Sequence, residues 1–147
     1  MNPIVKNIFA VLVGLVVGAV VNMGIVMLSG SIIPPPEGAD VTNMESLKAT
    51  MHLFSAKHFI MPFLAHAIGT LVGAFLTAYI AANRNMVLAI VVGAFFLSGG
   101  IQMVMELPSP MWFNVLDLVC AYFPMAFIGA KIAERLKTNS EVANEIL

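Results

Sequence analysis

Apolar residues along this chain fall into four long runs separated by short polar breaks. The runs extend from about Ile4 to Leu28, His58 to Ala82, Met86 to Leu107 and Met111 to Ala133. A helix needs about 20 mainly apolar residues to cross a hydrocarbon core of about 30 Å, and each run meets that length. Lipid cannot satisfy open backbone groups, and four segments cannot close a barrel, so each run is predicted to be a helix. The expected fold class is an all-α membrane protein: one domain over residues 1–147, with four transmembrane helices arranged as two antiparallel hairpins. The stretch Ile8 to Leu28, at 21 residues, exceeds the roughly 7–15 of a signal-peptide core and reads as a spanning helix.

The polar breaks differ in kind. Asn83-Arg84-Asn85 and Pro108-Ser109-Pro110 are tight turns. The first connection, about Ser29 to Lys57, is long and opens with the stiff Pro34-Pro35-Pro36. Thr42-Asn43-Met44-Glu45 fits a capping box with Thr42 as N-cap. Met44, Leu47, Met51 and Phe54 then recur at helical spacing, predicting a short amphipathic helix over about 43–55 that lies in the membrane interface. The tail Thr138–Leu147 is polar and expected to fray.

Composition agrees with this picture. Apolar residues make up 60% of the 147 and charged residues 10%, too little polar surface for a soluble domain this small. Charge also sets an expected orientation. Lys6, Arg84, Lys131, Arg135 and Lys137 share one face of the membrane, with only Lys48 and Lys57 on the other. The positive-inside rule then places both termini in the cytoplasm of a cell inner (plasma) membrane. A net charge of -1 argues against a nucleic-acid partner, which would demand a concentrated basic face. The single cysteine, Cys120, cannot form an intrachain disulfide.

Small residues mark where the helices should meet. Ala10, Gly14 and Gly18 recur every fourth position in the first run, and Ala65, Gly69, Gly73, Thr77 and Ala81 do so in the second. Helices in lipid associate through such close-packing stripes, so these two are predicted to form a seam. The halves also resemble each other. Ala74–Ala81 aligns with Ala126–Ala133 at five identical positions of eight, and Ala10–Gly14 compares with Ala89–Gly93. A parallel internal repeat of one hairpin is the corresponding expectation.

Polar groups inside the membrane are costly, so their positions carry the functional signal. The candidate binding residues are Asn22, His66, Gln102, Glu106, Asn114 and Asp117, all in the outer half, with Ser98 nearer mid-depth. Ser98, Gln102 and Glu106 form an i, i+4, i+8 stripe, and Asn114 and Asp117 are neighbours three apart. A single outward-facing polar pocket, covered by the amphipathic helix, would unite them. Each also has a plainer role: Glu106 at the headgroups, Asn22 as helix glue, His66 as a packing histidine. Asp117 is hardest to reduce to packing, because a carboxylate below the interface needs a partner, and His66 is the candidate. Pro62 and Pro124 are expected to kink their spans. No catalytic residue is assigned. His52, His58, His66, Glu106 and Asp117 are conceivable metal ligands, but no HExxH or i, i+4 histidine pair makes the assignment, and no metal or cofactor is expected.

Asn2-Pro3-Ile4, Asn22-Met23-Gly24, Pro34-Pro35-Pro36-Glu37-Gly38 and Asn43-Met44-Glu45-Ser46-Leu47 resemble small bacterial four-helix integral membrane proteins of unassigned function. The resemblance spans most of the chain. It implies the architecture and no catalytic or binding residues. The signatures of glutathione-handling four-helix enzymes and of small multidrug transporters are not met.

Three functions fit these features. The first is transport or permeation of a small solute, ion or proton by a homo-oligomer, with His66 and Asp117 as the titratable centre. The second is a non-catalytic accessory subunit, bound to a membrane-protein partner, or a binder of lipid or an apolar ligand; the eleven methionines suit such an adaptable surface. The third is an enzyme acting on a lipid of the outer leaflet, with His66 and Asp117 as acid and base.

Overall fold

The computed structural model describes residues 2–146, with side chains as far as Ser140. It is all-helical, with no strand among the described residues and four helices long and apolar enough to cross a membrane.

Helix α1 (Pro3–Ile32) starts under an Asn2 cap, whose Oδ1 accepts from Ile4 N at 2.9 Å, with Pro3 in the first turn where its missing N–H costs nothing. It runs four residues past the expected Leu28, because nothing before Pro34 breaks it. Its 30 residues measure about 45 Å, more than a bilayer core spans.

The first loop departs from expectation. Helix α2 (Met44–Thr50) is seven residues long, followed by a 3₁₀ turn at Met51–Leu53, in place of one helix over 43–55. Its N-cap is Asn43, which accepts from Ser46 N at 2.9 Å. Thr42 instead donates its N–H and hydroxyl to Asp40, and these bonds hold the Asp40 carboxyl below the usual carboxylate range. The apolar face of this segment meets protein: Met51, with Leu47 and Phe54, packs on Phe59 and Phe113 at the end of the bundle where the next spanning helix begins.

A second 3₁₀ turn (Ala56–Phe59) leads into α3 (Ile60–Ile80). Pro62 lies in the first turn of α3, where proline is tolerated, so the expected kink is replaced by a helix start. Helix α4 covers Asn85–Glu106. The fourth span is broken in two, α5 (Met111–Cys120) and α6 (Phe123–Ile146), by a two-residue step at Ala121-Tyr122. Pro124 is the cause. It has no N–H for Cys120 O, four residues back, and its ring crowds that carbonyl. The polar tail, expected to fray, continues α6 to Ile146; Leu147 lies outside the described residues.

Helix α3 is the hub, touching α1, α4 and α6. Against α1 the contacts run in opposite chain senses. Gly14 lies on Gly73 and Thr77, and Gly18 lies on Gly69, so closely that a Cβ at either would collide with backbone. Thr77 Oγ1 donates to Ala10 O at 3.2 Å across the seam. Against α6 the chains run the same way, with Gly129 over Leu71 and Phe75. The packing is not twofold: the strong α3–α4 contact has no strong α1–α6 counterpart, contrary to a symmetric hairpin repeat.

One end of the bundle is tied at the α3–α4 turn. Asn7 of α1 accepts from Ala82 N at 2.9 Å and donates to Asn83 Oδ1 at 2.8 Å. Lys137 of α6 donates to Ala78 O at 2.9 Å and Ala81 O at 3.0 Å, filling carbonyls left open at the end of α3.

Candidate functional site

The site forms where the broken fourth span faces α3. His66 is six residues into α3 and Asp117 six into α5, each about 9 Å below its helix start, so the two meet at one depth. His66 Nδ1 lies 2.9 Å from both Asp117 carboxylate oxygens. Asp117 is 2% exposed, and the His66 side chain 20%. A buried carboxylate is stable only with donors around it, and a second comes from Tyr122, whose hydroxyl donates to Asp117 Oδ2 at 3.0 Å. The Tyr122 ring stacks on the imidazole at 5.8 Å between centroids.

Tyr122 reaches Asp117 only because the helix is interrupted. In an unbroken helix, residues five apart point about 140° away from each other, since each residue turns about 100°. The step at Ala121-Tyr122 resets that angle. Gly100 of α4 supplies the room: a Cβ there would fall on the Tyr122 hydroxyl. Ala67 and Ala121, with Phe63, Phe96, Leu97, Leu118 and Met125, surround the tyrosine and keep the cluster dry.

A carboxylate only accepts, so Nδ1–H of His66 donates to Asp117. Nε2 makes no hydrogen bond among the described residues, and with the ring proton on Nδ1 it presents a lone pair that can accept one.

The remaining expected residues do not join this cluster. Gln102 and Glu106 bond each other at 2.9 Å on the exposed side of α4, and Ser98 turns its hydroxyl back to Phe95 O at 2.6 Å. Their stripe faces away from the bundle, because Val92, Gly93 and Gly100 occupy the side of α4 that packs. Asn114 is buried and donates to Ser109 O at 3.3 Å, bracing the Pro-Ser-Pro turn. Asn22 rests its Cβ over Gly69 in the α1–α3 seam. The expected common pocket is thus replaced by one buried pair and three local arrangements. A cleft of about 350 Å³ does open at the end of the bundle where α3 begins, lined by Met27, Ile33, Phe54, His58 and Met61 among others, but by none of the six.

Two further hydroxyls share the face of His66. Thr70 and Thr77 follow at i+4 and i+11, within about 40° of it on the helix wheel. Both are buried. Thr77 is satisfied by Gly73 O and Ala10 O, whereas Thr70 Oγ1, in a residue 1% exposed, has no partner among the described residues. Thr77 is one of the small seam residues in the sequence pattern, and nothing in that spacing singles out Thr70. A tyrosine five residues from an aspartate gave no periodic signal for Tyr122, although Pro124 marked the break that brings it in.

Among the described residues no three His, Cys, Asp or Glu side chains gather as a metal site would require. His52 is exposed, and His58 Nδ1 accepts from Ser55 N at 3.0 Å. Comparison of the chain with protein-family models, with curated proteins and with solved structures gave no match.

Proposed function

We propose that this chain is a multi-pass membrane protein that moves a proton, ion or small polar solute, with His66, Asp117 and Tyr122 as its proton-binding centre. The observation that carries the reading is an ionisable pair buried at the break of a discontinuous span. Transporters build substrate and coupling-ion sites at such breaks, where helical backbone is interrupted inside the membrane. Intramembrane charges that pair within a bundle are otherwise rare and costly. The unpartnered Thr70, one turn below His66, adds a polar step toward the opposite face.

In this reading the four spans cross an inner (plasma) membrane as two antiparallel hairpins with both termini cytoplasmic, by the five-to-two split of Lys and Arg. The α2 segment lies at the outer interface above the centre. The exposed apolar length of α1 serves assembly of a homo-oligomer, whose members share the transport path. Proton and solute flux into proteoliposomes tests the proposal. His66→Ala and Asp117→Asn should each lower flux at least tenfold with the protein still folded, and unchanged flux in both would remove the idea.

A second reading rests on the same pair. A histidine whose Nδ1 is held by a buried carboxylate, with Nε2 unengaged, has the arrangement of a general base. A lipid-acting membrane enzyme would use it so. Hydrolysis or transfer products from outer-leaflet lipid, abolished by His66→Ala without any flux in the unaltered chain, would favour that reading over transport.

A further inference from the structure

A second feature lies at the opposite end of the bundle from the His66 centre. Helices α1 and α4 both pack on α3 and barely touch each other, and the gap between them opens a groove of about 590 Å³. That is within the roughly 300–1,000 Å³ of ligand sites. Its walls are apolar, with Ile4, Ile8 and Leu12 from α1 and Leu88 from α4. Asn83 and Arg84 form its lip at the α3–α4 turn.

Arg84 is exposed and in no ion pair among the described residues. It is also the only non-glycine residue with positive φ among them, at 53°. Left-handed backbone is disfavoured for a residue like arginine by contact of its Cβ with the following carbonyl, a cost that glycine avoids and asparagine largely avoids. The turn therefore keeps a cation where turn chemistry alone would favour another residue. Apolar walls with a cation at the lip, at the end of two membrane-length helices, match an acyl chain below and an anionic headgroup above.

We propose that this groove is a binding site for an anionic phospholipid, with one acyl chain along Ile4, Ile8, Leu12 and Leu88 and the phosphate on Arg84. The shared chemistry at the lip is a phosphate. The apolar walls select the lipid source over a free ion. Basic residues between spanning helices on the cytoplasmic side are a recognised setting for such headgroups.

The test uses the full chain purified in detergent and incubated with phosphatidylglycerol, phosphatidylcholine or glycerol 3-phosphate, with bound ligand counted by native mass spectrometry. Phosphatidylglycerol should be retained about fivefold over phosphatidylcholine, the preference one membrane-surface cation supplies. Arg84→Asn keeps the left-handed turn and should erase the preference, Arg84→Lys should keep most of it, and Leu12→Trp, which fills the groove, should lower retention of both lipids. Monodisperse elution of each variant confirms folding. Equal retention of the two lipids by the unaltered chain, or an intact preference in Arg84→Asn, overturns the proposal. Displacement of phosphatidylglycerol by equimolar glycerol 3-phosphate also overturns it, because the site would then read phosphate alone.

Discussion

At the scale of single residues, the site depends on how few donors a buried carboxylate can lose. Asp117 has two, His66 Nδ1–H and the Tyr122 hydroxyl. Interhelical hydrogen bonds in membranes contribute about 0.6 kcal/mol on average and up to about 1.7. Tyr122→Phe should therefore cost about 1 kcal/mol in an unfolding titration. Gly100→Ala should produce a similar loss by a different route, since its Cβ displaces the tyrosine hydroxyl. If both act through one hydrogen bond, the double variant will lose clearly less than the sum of the two. Full additivity would show that Gly100 does not serve Tyr122. Thr70 gives the opposite expectation. An unsatisfied buried hydroxyl costs about 1–3 kcal/mol, so Thr70→Val should stabilise the fold by about 1 kcal/mol. The same variant should reduce flux if the hydroxyl engages the moving species, and a stabilised variant with full flux would remove Thr70 from the path.

The elements are held by two different devices. Along their length, α1 and α3 depend on glycines that bring backbone within contact of backbone. Adding a methyl at Gly14 meets Gly73 O and Thr77 Oγ1, and carbonyls in a helix cannot step aside. Overpacking of this kind costs about 1–3 kcal/mol, so Gly14→Ala should lower stability by that amount. Gly24, on the same helix, has nothing within 4 Å of an added Cβ. Gly24→Ala should be neutral or stabilise by up to about 1 kcal/mol, because glycine weakens a helix interior. Equal effects at the two positions would mean that the seam is not close-packed. At the turn end, the devices are side chains on backbone: Asn7 on Ala82 and Lys137 on Ala78 and Ala81. Lys137→Met keeps the apolar stem and removes the cap, and should raise amide exchange in the last turn of α3 while leaving the His66 end unchanged.

For the molecule as a whole, α3 serves as the common wall against which every other span is placed. That arrangement is asymmetric despite the likeness of the two halves. Similar apolar stretches permit a repeat without enforcing one, because Leu, Val and Ala faces pack with many partners. The groove between α1 and α4 is a consequence of both helices leaning on α3. The His66–Asp117 contact follows from the parallel run of α3 and α6, which holds α5 beside the first turns of α3. Disrupting the α1–α3 seam should therefore alter lipid retention in the groove more than it alters flux through the centre, and both can be read on Gly14→Ala.

Residue order alone determined the four apolar segments, the two tight turns and the pairing of Gly14 and Gly18 with the α3 glycines, because hydropathy and small-residue spacing are sums over near neighbours. It also singled out His66 and Asp117, since an ionisable group in an apolar run is visible without knowing its surroundings. What lay beyond it was direction around each helix axis. Gln102 and Glu106 turn outward because the glycine side of α4 packs inward, and Tyr122 enters the site because Pro124 resets the rotation of α6. Azimuth is set by which neighbour a helix leans on, a property of the assembled bundle, and only tertiary structure could supply it.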